Sequence, residues 1–253
     1  MFELLGEYGF ELSSNGQASA LKHAIGSNHC DVVKHILDGG IAEADIVSAV
    51  NIGLEYVARL GGLKMFELLA EYGFRVSGIQ EAYTLKNAIG DGHSNVVKFL
   101  LDGGLAEADV VSEVKDGLYH AAFMGALEMF ELLEEYGFEV RSSTYLIEAA
   151  QKDCLPLVKF LMDHNKVDIN AQGSESSMAP LHFAAEHGNI DIVSFLLDEG
   201  ADINAPIRKN LSRDGSTPRT PCAVDLARAK GHLKVVKLLC ERGPKGYSPA
   251  EDG

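Results

Sequence analysis

Along Ala179–Asn204, APLHFAAEHGNIDIVSFLLDEGADIN, apolar side chains recur at intervals of three and four residues. Leu181, Ala184 and Ala185 predict the buried face of one short helix, and Ile192, Val193, Leu196 and Leu197 that of a second. Gly188 separates the two, and Gly200 supplies a flexible stop that lets the backbone turn back. Two helices this short cannot cover their own apolar faces. The unit is therefore expected to be stable only when stacked on copies of itself.

The copies are visible. MFELLGEYGFEL at Met1, MFELLAEYGFRV at Met65 and MFELLEEYGFEV at Met129 recur every 64 residues, and DVVKHILDGGIAEADIV at Asp31 returns as NVVKFLLDGGLAEADVV at Asn95 with the same spacing. That period is about two units of roughly 33 residues each. Second helices are expected to end at Gly9, Gly40, Gly73, Gly104, Gly137, Asn165, Gly200 and Gly243, which divides the chain into one half repeat and seven full ones.

Repeat one, SALKHAIGSNHCDVVKHILDGG, buries Leu21, Ala24 and Ile25. Repeat two is read from Gly53 with Leu54, Val57 and Ala58 in the same roles, and repeat four from Gly117. Repeat five departs most. Asp153-Cys154 stands where other turns have Gly-His, and Pro156 opens its second helix, where a missing donor costs little. Phe2, Phe66 and Phe130, with the leucine pairs beside them, are assigned to the core.

The opening Ala-Pro-Leu-His and the closing Gly-Ala-Asp of 179–204 resemble the ankyrin repeat, whose turn begins Thr-Pro-Leu-His; Ala179 stands for the threonine. In repeats one to five Lys22, Glu55, Lys86, Tyr119 and Ile147 take the place of that histidine, so its hydrogen bonds cannot all be present. The resemblance implies an all-α solenoid of stacked helix-turn-helix units with short β-turn or hairpin-like connections. It spans residues 1–243 as one domain, and a tail at 244–253 is expected to be disordered.

Nine extra residues enter the connection before repeat seven, giving an insertion over 205–221. Arg208, Lys209, Arg213 and Arg219 oppose only Asp214 there, so a basic loop stands in an acidic protein. It reads either as a plain surface insertion, as a finger for an acidic partner, or as a phosphorylation segment around Thr217-Pro218 and Thr220-Pro221. At the other end the chain begins inside a second helix. Met1, Phe2 and Leu5 would lie on an open end of the stack, which implies either a longer parent array or an end-to-end contact with a second copy.

Charge narrows the partners. Against 22 Lys and Arg stand 37 Asp and Glu, a formal balance of -15. A polyanion such as DNA or RNA would be repelled, and a basic protein surface attracted. Cys30, Cys154, Cys222 and Cys240 form no CxxC pair, which points to reduced thiols and a cytoplasmic or nuclear location. The first residues carry no basic region ahead of their apolar ones, so no signal peptide is read, and no apolar run reaches membrane-spanning length.

Candidate chemistry is sparse. No GxSxG elbow, phosphate loop or HExxH pair is present, and no cofactor or metal is expected. His29, His93 and His232 sit at inter-helix turns and His182 in the Ala-Pro-Leu-His turn, where structural hydrogen bonds are the expected role. What remains is the face of the first helices directed away from the core. In the ankyrin family this face lines the concave groove where partners bind. Carried along the repeats, the register places Tyr56, Arg59 and Leu60 there, then Asn87 and Asp91, then His120, Phe123 and Met124, then Glu148, Gln151 and Lys152, then Glu186 and His187.

Tyr56, Leu60, Phe123 and Met124 are large apolar groups beside Arg59 and His120, the composition of a recognition hot spot, unless Phe123 and Met124 pack between repeats. The reading is a non-catalytic interaction module that holds a protein or peptide segment. The alternative is an enzyme or small-molecule binder using Asn87, His120 and Glu148.

Overall fold

A computed structural model of the chain describes residues 14–40, 43–75, 79–103, 107–163, 167–173, 177–207 and 221–243. They form fourteen helices and no strand. None of these helices is long and apolar enough to cross a membrane. The half repeat at Met1, the basic residues Arg208, Lys209, Arg213 and Arg219, and the tail 244–253 lie outside the described residues. The chain divides into two compact units, Met1–His120 and Ala121–Gly253. Each is described by itself.

The first unit contains α1 (Ser14–Gly26), α2 (Cys30–Asp38), α3 (Glu43–Arg59), α4 (Leu63–Glu71), α5 (Ile79–Gly90), α6 (Ser94–Asp102) and most of α7 (Glu107–Met124). First helices α1, α3 and α5 pack in succession, and second helices α2, α4 and α6 form a parallel row. The expected core is in place: Leu21, Ile25, Leu54, Val57 and Ala58 are all buried, as is Phe66.

Two helices are much longer than a repeat read from Gly53 or Gly117 allows. α3 has 17 residues and α7 has 18. The stretch EADIVSAVNI ahead of Gly53 is helix, and its copy before Gly117 is too. Its apolar positions explain why. Ile46, Ala49 and Val50 continue the spacing of Leu54, Val57 and Ala58, and all are buried; Val110 and Val114 do the same ahead of Leu118. No Pro or Gly interrupts the first ten residues of either helix. Gly53 is tolerated inside α3 because of what it faces: an added Cβ would lie 2.6 Å from Cγ2 of Ile25. Gly117 meets Ile89 in the same way at 2.9 Å. A side chain at either position would push the first helices apart.

The second unit holds α8 (Leu127–Glu135), α9 (Ser143–Gln151), α10 (Leu155–Met162), α11 (Pro180–His187), α12 (Ile190–Asp198), α13 (Ala223–Ala229) and α14 (Leu233–Arg242). Helices α9, α11 and α13 form one row and α8, α10, α12 and α14 the other. Pro156 falls in the first turn of α10, as its missing donor requires. Here the connections are the expected hairpin-like turns. Asp168 Oδ1 accepts from the Asn170 amide and Asp202 Oδ1 from the Asn204 amide, both at 2.9 Å. The Asn170 side chain accepts from the Asp202 amide at 2.8 Å, tying one turn to the next. Val167, Ala201, Ala205 and Ile207 are buried beneath these turns.

Glycines close the second helices as expected at Gly40, Gly73, Gly137 and Gly200, all at positive φ, whereas Gly243 is extended. Gly9, Gly104 and Asn165 lie outside the described residues.

Candidate partner-binding face

The turn histidines hold the repeats together. His182 accepts from the Ala179 amide at Nδ1 (2.9 Å) and donates from Nε2 to the Ala205 carbonyl (2.8 Å), so both ring nitrogens are used. Its burial holds the imidazole below its ordinary pKa. His93 donates from Nε2 to the Arg59 carbonyl at 2.8 Å, and His232 to the Glu186 carbonyl at 2.9 Å. Asn189 plays the same part toward the Ala150 carbonyl, and Cys154 more weakly toward Gly125. The bonds of His93, His232, Asn189 and Cys154 each reach from the turn of one repeat to the end of the previous first helix. Gly61 and Gly188 are required beneath two of these histidines. Both are left-handed, and a Cβ would strike His93 at 2.6 Å and His232 at 2.5 Å.

With these residues committed to structure, the outward face of the first helices carries the remaining chemistry. In the first unit Tyr56 and Leu60 are more than half exposed. Tyr56 sits over Gly26, whose missing side chain makes the room, and His120 sits likewise over Gly90. Arg59 pairs with Asp91 at 3.3 Å in an open setting, an interaction worth little by itself. Asn87 is half-buried, and His120 is exposed with its ring edge-on to Tyr119.

In the second unit Phe123 is 40% exposed and Met124 69%, so neither is core. The Lys152 ammonium lies 3.5 Å above the Phe123 ring, a cation held against an aromatic face. Gln151 is half-buried. Glu148 does not share this exposure. It is 8% exposed, because α9 is buried all round from Tyr145 to Ala150. Glu186 pairs with Lys230 at 3.3 Å, and His187 is exposed, donating from Nδ1 to the Phe183 carbonyl at 3.0 Å.

The sequence reading missed Val47 and Val111, exposed apolar residues 64 positions apart. Both lie on the helical extensions of α3 and α7, so a register begun at Gly53 could not reach them. Among the described residues no group of three or more His, Cys, Asp or Glu could hold a metal ion.

The comparisons with known proteins agree with this architecture. A family model described as ankyrin repeats in three copies matches residues 138–207, the part of the second unit where the turns are hairpin-like. The ankyrin repeat and KH domain-containing protein mask-1 of Caenorhabditis elegans is 30% identical over 250 residues, covering 94% of this chain and 9% of that protein. A namesake from Caenorhabditis briggsae is 26% identical over 215 residues, 76% of this chain and 8% of the relative. A serine/threonine-protein kinase of Mus musculus is 41% identical over 85 residues, 34% of this chain and 10% of the kinase. The chain thus spans about a tenth or less of the length of these relatives. Stacked helix pairs, a repeat turn closed by His182, turn side chains bonded to the preceding repeat, and the family match over 138–207 converge on one assignment: the chain belongs to the ankyrin repeat family.

Proposed function

We propose that this chain is a non-catalytic interaction module that binds a protein segment through the outward face of its first helices. Ankyrin repeats are in general protein-interaction modules, and stacked repeats present extended surfaces formed by residues that the fold itself does not need. The observation that carries the proposal is the exposure of Phe123 and Met124. Two large apolar side chains stand exposed next to each other, one of them against the Lys152 ammonium. Tyr56 and Leu60 repeat the arrangement in the first unit, next to the Arg59–Asp91 pair. Aromatic and Met anchors with charged neighbours are what protein partners bury. The balance of -15 favours a partner with a basic surface.

The test is capture with wild type and two double variants, Tyr56→Ala with Leu60→Ala and Phe123→Ala with Met124→Ala, read by mass spectrometry. A protein retained by wild type and lost from at least one variant of unchanged melting temperature bears the proposal out. Identical retention by all three defeats it.

A further inference from the structure

We propose that the first unit carries a second partner site, a pocket between α4 and α6 in which an arginine side chain of a protein partner stacks on Phe99 and pairs with the acidic rim. The pocket has a volume of about 260 Å3, with Phe66, Phe74 and Phe99 on its apolar wall and Arg75, Glu81 and Asp102 around it. That is below the span usual for drug-sized ligands, about 300 to 1,000 Å3. It suits a single long side chain. None of the outward residues assigned to the first site lines it.

The chain itself shows what this wall holds. Phe66 and Phe99 have ring centroids 6.0 Å apart, and the second unit repeats the pair as Phe130 and Phe160 at 6.4 Å. Phe130 follows Phe66 by 64 residues, and Phe160 has in VKFLM the place of Phe99 in VKFLL. There the pair is covered from within. The Tyr145 ring meets Phe130 edge-on at 5.6 Å, and the Arg141 guanidinium lies 4.9 Å over Phe160. That arginine side chain is 7% exposed and is ion-paired with Glu134.

In the first unit two positions around the pair hold smaller side chains. Thr84 precedes the first buried leucine of its helix where Tyr145 does in the other unit, and Ala70 has the place of Glu134. The pocket lies against Phe66, Phe99 and Ala70, the counterparts of Phe130, Phe160 and Glu134. Its rim supplies, in Glu81, the acid that Ala70 does not. Burial raises the pKa of Glu81, and Arg75 only partly opposes this, so a second cation there would favour the ionised carboxylate. Arginine fits better than lysine because a planar guanidinium stacks on a ring and pairs with a carboxylate at once.

The test is a titration of the full chain, labelled for backbone and methyl NMR, with acetyl-Gly-Arg-Gly-amide and with the same peptide carrying citrulline, which keeps the shape and removes the charge. Saturable shifts at Leu54, Leu100 and Gly103 are expected with arginine, at least about fivefold weaker with citrulline. Glu81→Gln and Phe99→Leu should each weaken the arginine peptide about fivefold. Glu81 is at the rim, so its variant carries the test if Phe99→Leu unfolds. Equal response to both peptides, shifts confined to Tyr56 and Leu60, no saturable shifts at the three pocket residues, or an unaltered titration of Glu81→Gln overturns the proposal. The first two of those outcomes leave the outward-face reading standing.

Discussion

A Cβ added to Gly53 would lie 2.6 Å from Cγ2 of Ile25, closer than real side chains come. Helix propensity alone favours Ala over Gly by about 1 kcal/mol in a helix interior. Overpacking a tight helix contact costs about 1 to 3 kcal/mol and reverses that sign. Gly53→Ala should therefore lower stability, by up to about 2 kcal/mol. Gly117→Ala should cost less, because its contact with Ile89 is 2.9 Å. Gly26→Ala is the control, since its Cβ would meet Tyr56 at an ordinary 3.7 Å. Urea unfolding of the three variants, followed by circular dichroism, should rank them in that order. A stabilised Gly53→Ala would show that the two helices do not approach so closely.

His182 ties Ala179 to Ala205 through both ring nitrogens. Replacing it with Ala leaves a buried amide and a buried carbonyl without partners, each costing about 1 to 3 kcal/mol, so a loss of about 3 kcal/mol is expected. The pH dependence has a definite sign. Burial lowers the folded pKa below the ordinary 6.5, so the unfolded chain takes up the proton first. The stabilisation is complete above that ordinary value and declines as pH falls through it toward the lowered one. Melting temperatures of wild type and His182→Asn should converge on acidification from about pH 7 to 5. Parallel curves would mean that this imidazole does not titrate differently on folding.

Much of this was readable from residue spacing, and the failures have physical causes. The 64-residue period placed Leu21, Ile25, Leu54, Val57 and Phe66 in the core because one apolar face suffices to fix a helix register. The structural roles of His93, His182 and His232 followed from their turn positions. The starts of α3 and α7 did not follow. A template of short helices set the boundary at Gly53, while Ile46, Ala49 and Val50 extended the same buried face. Glu148 was placed outward by the helical wheel, but a first helix held by neighbours on more than one side has no free face there. The pocket between α4 and α6 lies where a larger side chain is missing, Ala70 standing for a glutamate. Spacing does not report an unfilled volume.

Arg141 tests how the second unit fills that volume. Its guanidinium is almost wholly covered between Phe160 and the Glu134 carboxylate, and its Nε has no hydrogen-bond partner. Stacking and carboxylate pairing therefore have to offset an imperfectly satisfied buried charge. Arg141→Lys keeps the charge and loses the plane, and should cost about 1 to 2 kcal/mol. Glu134→Gln should cost a similar amount by leaving the cation without its counter-charge. Chemical denaturation of both single variants and the double checks this. If the two losses add without coupling, the planar guanidinium pairs with Glu134 no better than an ammonium does.

Phe123 and Met124 should be nearly silent in any stability measurement. Met124 is 69% exposed, and its truncation removes little buried area; surface changes of this kind stay within about 0.5 kcal/mol. Phe123 keeps a contact with the Lys152 ammonium, worth about 0.5 to 1 kcal/mol at an exposed site. The double substitution to Ala is thus expected to cost about 1 kcal/mol or less. Leu118, about one and a half turns earlier in the same helix and fully buried, should cost about 2 to 5 kcal/mol when cut to Ala. That difference is what makes the surface pair usable as a binding probe, because lost capture then cannot be blamed on an unfolded chain. Thermal melts of the double variant and of Leu118→Ala decide it, and a double variant that melts as early as Leu118→Ala would return both side chains to the core.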